Sequence, residues 1–260
     1  MKIKEVVATL ERFAPLPLQE DYDNAGLQIG LTEADASGVL LCLDVTEAVI
    51  AEAEAAGCNL VVAHHPLLFR PLRHVTGATL PERCTSAAIR AGIAIYAAHT
   101  NLDNAPGGVC HAMGRMLGLT GGRFLTDRPD GGGSGLIGSL PEAMAPADFL
   151  RRVKQTFGVA CLCHNQGPDR PVERVALCGG AGDFLIDEAV RQGADAFITG
   201  EVGYHRYFGL ENELWVAALG HYQSERHTVR LLRDILAAAH PGLRLVETAI
   251  DTNPIRYMAD

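Results

Sequence analysis

Three short segments carry metal-donor side chains at spacings that suit chemistry. His64 and His65, followed by Pro66, close the apolar run NLVVAHHP (59–66). In IAIYAAHTNLD (93–103), His99 is followed four residues on by Asp103, and in ELWVAALGHYQSE (213–225), His221 is followed four residues on by Glu225. A divalent ion takes neutral imidazoles and ionised carboxylates. Neighbouring side chains of a strand point to opposite faces, so His64 and His65 cannot easily grip one ion from inside a regular strand. At a strand end, each can hold a different ion of a close pair. A carboxylate can bridge two ions, and Asp103 is the candidate bridge. Two-metal sites activate water and clamp a substrate oxygen. The isolated histidines His74, His111, His164, His227 and His240 are read as ordinary core or surface residues.

The elements that must position these residues follow from periodicity. VLLCLDV (39–45) is a buried strand, TEAVIAEAEAAG (46–57) a helix closed by glycine, and NLVVAHHP the next strand. This βαβ order implies parallel strands. The pattern recurs as VALC (175–178), FLIDEAVRQG (184–193) and DAFITGE (195–201). Without a gap, Val39, Leu41, Cys42, Ile50, Glu52, Ala53 and Gly57 match Val175, Leu177, Cys178, Ile186, Glu188, Ala189 and Gly193. The register points to an internal duplication. The expectation is an α/β fold of two similar lobes, residues 1–125 and 126–260, with the C-terminal part of the second returning to the first. Ligands of open α/β sheets bind beyond the carboxyl ends of strands, and His and acidic residues leave several strand ends here. Spacing alone leaves open which of them share ions.

Other segments are read around that edge. Glu201 occupies the position equivalent to His65 and, with His205 in TGEVGYH, is a candidate general base or substrate contact, against the plainer reading of an acid favoured by a helix N-terminus. His99 is a candidate for orienting a neighbour of Asp103. CGGAGD (178–183) reads as a tight turn or, failing that, an anion site built on backbone amides. YDNAGLQIG (22–30) leads into a short strand and could line a cleft. MKIKEVVATLERFAP reads as a first helix and APADFLRRVKQTFG (145–158) as another. TGGRFLTDRPDGGGSG (120–135) reads as a loop or linker. Cys161, Cys163 and His164 lack a second matching pair and read as part of a strand.

Net charge is −9 over 260 residues. That balance argues against nucleic acid and anionic membrane as partners. No apolar run approaches the length of a membrane span, and Glu5, Glu11 and Arg12 interrupt any signal-peptide core. Seven scattered cysteines fit reduced thiols. The expectation is a cytoplasmic protein.

With YDNAGLQIG, VVAHHPLLF, AAHTNLDNAPGGV, ALCGGAGD, ITGEVGYH, GHYQSER and TNP (252–254) in this order, the sequence resembles the Nif-three-like family, also called GTP cyclohydrolase 1 type 2 homologues. It looks like a short member, without room for the domain that longer members carry between the halves. The resemblance covers nearly the whole chain. It implies that the two lobes are intertwined. It also implies a di-metal centre held by His64, His65, Asp103, His221 and Glu225, and a toroidal homohexamer whose metal sites face an internal cavity. Tyr22 stands where tryptophan is frequent. Mixed imidazole and carboxylate ligation suits zinc, iron or manganese better than magnesium. The leading expectation is a metal-dependent hydrolase acting on a nucleotide-like or other small phosphorylated molecule. The alternatives are a metal-binding or metal-delivery protein without catalysis and a ring-shaped interaction protein.

Overall fold

The structure is a computed structural model and describes residues 1–30 and 32–258. The chain forms two compact units, Met1–Leu102 with Thr228–Asp260, and Asp103–His227.

The first unit opens with α1 (Ile3–Phe13), which buries Ile3, Val6, Val7 and Leu10 at helical spacing. Then come β1 (Gly26–Ile29), β2 (Val39–Cys42), α2 (Glu47–Ala55), β3 (Leu60–Ala63), α3 (Leu80–Ala91), β4 (Ala94–Ala97) and the single turn α4 (Thr100–Asp103). The second unit holds α5 (Val109–Leu117), β5 (Thr120–Asp127), β6 (Gly133–Met144), α6 (Pro146–Phe157), β7 (Cys163–His164), β8 (Val172–Leu177), α7 (Ile186–Arg191), β9 (Ala196–Thr199), β10 (Trp215–Ala218) and α8 (His221–Glu225). The chain then returns to the first unit with α9 (Thr228–Ala239) and β11 (Leu245–Glu247), which pairs parallel to β2.

Two mixed sheets result, in the orders β1-β4-β3-β2-β11 and β5-β6-β8-β9-β10-β7. The first has β2, β3 and β4 parallel with β11 added in the same sense, and the second has β8, β9 and β10 parallel. Every residue of β2, β3, β4 and β9 is buried, as expected of parallel strands covered on both faces, while β8 exposes Glu173 and Arg174. The duplication is visible in register. Val39 pairs with Leu60, and their counterparts Val175 and Ala196 pair in the same way. In each sheet a short antiparallel strand, β1 or β7, edges the third parallel strand. The helix stops match too. Gly57 and Gly193 both adopt the left-handed region, at φ 65° and 67°, and the next amides, Cys58 and Ala194, bond back to Ala53 and Ala189.

The stretch 120–135 is not a linker. It is β5 and the start of β6, an antiparallel hairpin reversed over Arg128–Gly132, with Phe124 and Leu125 buried. Its glycines serve close packing. A Cβ on Gly133 would lie 2.3 Å from the Phe124 ring, and one on Gly138 would lie 3.0 Å from the Thr120 carbonyl oxygen. Residues 184–193 form a 3₁₀ turn, Asp183–Leu185, before α7 rather than one continuous helix. Among the described residues, no helix is long and apolar enough to cross a membrane, and the cysteines are free thiols.

Candidate metal centre

In the first unit, β3 ends at Ala63, so His64 and His65 stand just beyond it, and His99 stands just beyond β4. The three imidazole rings converge. Their centroids lie 5.0 Å apart for His64 and His65, 5.3 Å for His64 and His99, and 5.5 Å for His65 and His99. Each offers one ring nitrogen within 4.8 Å of the others', so the group could hold a metal ion.

Each ring is fixed through Nδ1. His64 Nδ1 lies 2.7 Å from the Ala98 carbonyl oxygen, which can only accept, so Nδ1 carries the proton. His65 Nδ1 donates to Asp44 Oδ1 at 2.7 Å, and His99 Nδ1 to Asp23 Oδ1 at 2.7 Å. In a neutral imidazole with its proton on Nδ1, the lone pair is on Nε2. An acceptor behind each ring therefore fixes the ligand tautomer and raises its basicity. The carboxylates are braced in turn. Asp44 Oδ2 accepts from the Thr252 hydroxyl at 2.7 Å, and Asp23 Oδ2 accepts from the Thr100 amide and hydroxyl.

Burial opposes ionisation of Asp23. Hydrogen bonds from His99, Thr100 and the Asn24 amide outweigh it and hold the carboxyl at about 2. Burial likewise opposes ionisation of Asp44, and the His65 and Thr252 hydrogen bonds overcome it, leaving the carboxyl below the usual range. Both acids thus remain charged acceptors at neutral pH.

In the second unit, β10 runs into Gly220, at φ 95°, and α8 starts at His221. One helical turn brings His221 Nε2 to 3.1 Å from Glu225 Oε2, while His221 Nδ1 faces Glu201 Oε1 at 3.2 Å. Two atoms bound to one ion through bonds of about 2.0–2.2 Å stand roughly 3.0–3.4 Å apart, so His221 and Glu225 are spaced as partners on a single ion. Glu225 is 4% exposed. The CGGAGD turn makes room for its carboxylate. A Cβ on Gly180, at φ 59°, would sit 2.5 Å from Glu225 Oε1. Two amides of this turn are engaged inside the unit, Gly180 with Ser224 Oγ at 3.0 Å and Gly182 with Thr199 Oγ1 at 2.9 Å. The turn is a cradle for Glu225.

The model of the Duf34/NIF3 (NGG1p interacting factor 3) family matches residues 1–254. The chain belongs to this family. A Lactococcus lactis relative named GTP cyclohydrolase 1 type 2 homolog is 34% identical, with 98% of each chain covered. NIF3-like protein 1 of Drosophila melanogaster is 32% identical, covering 99% of this chain and 90% of its own. Among solved structures, a Bacillus cereus protein related to NIF3 has a TM-score of 0.88 at 24% identity, with 99% of each chain covered, a likeness of fold. Reduced HcgD from Methanocaldococcus jannaschii has a TM-score of 0.81 at 25% identity, covering 96% of this chain and 98% of its own.

Within this family fold, the residues singled out from sequence fall into two groups. His64, His65 and His99 form one cluster in the first unit. His221, Glu225 and Glu201 form another in the second, whose first residue, Asp103, ends α4. His205 lies apart on an exposed 3₁₀ turn, with its ring stacked on Phe208 at 6.1 Å. No group of three metal-donor side chains forms around Cys163 and His164 among the described residues.

Sequence reasoning missed Asp44, Thr252 and the link from Asp23 to His99. A signal existed for Asp44, since it is an acid leaving the end of β2 at the sheet edge that also releases His64 and His65. TNP and YDNAGLQIG stood out as motifs, but nothing in the sequence says that Thr252 and Asp23 brace histidines.

Proposed function

We propose that the chain is a metal-dependent hydrolase in which His64, His65, Asp103, His221 and Glu225 hold a pair of divalent ions, and that it acts on a nucleotide-like or other small phosphorylated molecule. The observation that carries this reading is the imidazole cluster of His64, His65 and His99, in which every Nδ1 is tied to an acceptor. Histidines held only for packing have no need of matched tautomers. A set of ligands does. The donor set, three imidazole nitrogens and two carboxylates, fits a divalent ion. It contains no thiol, in keeping with zinc, iron or manganese.

When bound, such ions lower the pKa of a water and polarise the electrophilic carbon or phosphorus. The chain's own residues would prepare that chemistry. Asp44 and the Ala98 carbonyl hold the His65 and His64 rings in one tautomer. Glu201 orients His221 through Nδ1. Glu201, with a side chain 55% exposed beside His221, is the group placed to exchange protons with solvent and substrate, and the exposed His205 is a second candidate for substrate contact. The relatives' name, GTP cyclohydrolase 1 type 2 homolog, supports nucleotide chemistry, and the specific form of the proposal is attack of water on the purine C8 carbon. A cytoplasmic homohexamer belongs to the same proposal, and light scattering on the purified protein tests the assembly.

The test of the reaction is turnover. Metal-loaded protein should hydrolyse GTP or another member of a nucleotide panel and should lose that activity on chelation or with Glu225→Ala. Metal-loaded protein inert on the whole panel would sink the hydrolase reading.

A further inference from the structure

Beside the imidazole cluster, the first unit exposes two aromatic side chains that its core does not use. Tyr22 is 67% exposed and Phe69 is 40% exposed. Their ring centroids are 6.4 Å apart, with the planes inclined at 63°. Phe69 in turn meets the edge of His99, at 6.2 Å and 90°. The rings therefore form a continuous series from Tyr22 through Phe69 to His99, and through His99 to His64 and His65.

The segments that carry them are tied to each other. Asn24 Nδ2 donates to the Leu68 carbonyl oxygen at 2.6 Å, and the Leu68 amide donates to Gln28 Oε1 at 3.0 Å. Gln28 Nε2 closes back on the Asn24 carbonyl oxygen at 2.6 Å. Asp23, next to Tyr22, anchors this segment to His99 and Thr100. Two large apolar rings left in water are costly when they serve only the fold. Here they are braced on adjoining segments at the rim of a metal-donor cluster, which is how ligand-binding walls are built.

Charge adds to this. In a chain of net charge −9, Phe69 is followed by Arg70 and, three residues later, by Arg73. Both arginines are exposed, and neither makes an ion pair among the described residues. A planar group with an anionic tail suits this surface. The base can stack on one ring and meet the edge of the other, and the arginines offer forked donors for phosphate.

We infer that Tyr22 and Phe69 form the base-recognition wall of the site, binding the planar heteroaromatic ring of a nucleotide whose phosphate lies within reach of Arg70 and Arg73. This rests on the reading of the site as one for nucleotides and adds the residues that distinguish a base from the rest of the ligand.

The test is calorimetric titration of the metal-loaded chain with GMP and with ribose 5-phosphate, which lacks the base, and metal content is measured on the same samples. The wild type should bind GMP about tenfold or more tightly than ribose 5-phosphate. Tyr22→Leu and Phe69→Leu should each erase most of that preference at unchanged metal content, which also shows that the variants are folded. Tyr22→Trp, which keeps an aromatic face, should retain it. Arg70→Gln with Arg73→Gln should weaken both ligands alike. Equal binding of the two probes by the wild type, or no binding of GMP, overturns the inference. So does a preference that survives both leucine variants. A wild type that carries no metal but still prefers GMP in the same way would instead defeat the metal reading and leave the wall in place.

Discussion

The two units handle histidine in opposite ways. In the first, each imidazole has a dedicated acceptor behind it, and His65 and Asp44 are held at 2.7 Å with both side chains mostly shielded. In the second, His221 stands between two carboxylates, with the buried Glu225 on one side and the half-exposed Glu201 on the other, at the longer distances of 3.1 and 3.2 Å. One half thus presents neutral donors whose direction is set in advance, and the other presents negative charge in a glycine cradle. Imidazoles add no charge to a bound dication, whereas carboxylates offset its charge, so the two kinds of donor serve different ends. The duplicated scaffold supplied equivalent strand ends, and the side chains at them diverged into complementary roles, as His65 and its counterpart Glu201 illustrate.

The contrast can be broken at its strongest point first. Glu225→Ala removes the buried charge and should lower metal affinity by well over about 100-fold, since even groups behind the ligands are worth about 10–100-fold. Competition with a chromogenic chelator measures this, and near-normal affinity would mean that the second unit is not a charge donor. Next, Asp44→Asn should cost about 10–100-fold in affinity by the same assay, with the circular dichroism spectrum unchanged. If the Asn variant binds metal normally, the tautomer lock on His65 is incidental. Glu201→Gln makes the parallel change behind His221. Its longer and more exposed contact predicts a loss of less than about tenfold, and a loss larger than that of Asp44→Asn would reverse the contrast.

The smallest effect is on stability. Asp23 has its carboxyl lowered to about 2 from an ordinary 3.8, so the stability it contributes is fully present above the ordinary value and disappears as pH falls towards about 2. Asp23→Asn should melt lower than the wild type near neutral pH, and the gap should close below about pH 4. A gap that is constant across that range would show that the Asp23 charge is not what holds His99.

Much of this arrangement was legible in the sequence because it is local. The apolar runs ending in HHP and in GHYQSE, the glycine stops at Gly57 and Gly193, and the gapless repeat all depend on residues close together along the chain. The braces were not legible, because they depend on which distant residues meet. Thr252 reaches Asp44, and Asp23 reaches His99, only after β11 has paired with β2 and β1 with β4. The hairpin of β5 and β6 was misread for a physical reason. A polar stretch rich in glycine reads as a loop, whereas Gly133 and Gly138 let strand, ring and carbonyl approach closely. CGGAGD is similarly ambiguous in sequence, since nothing in it says that the Gly180 and Gly182 amides bond to Ser224 and Thr199.

The proposal stands or falls on whether His65 and Glu225 are metal ligands, and elemental analysis of the purified chain beside His65→Ala and Glu225→Ala tests it most directly. The expected result is a wild type that carries a divalent metal and a marked loss in each variant. Wild-type metal content in both variants would contradict it.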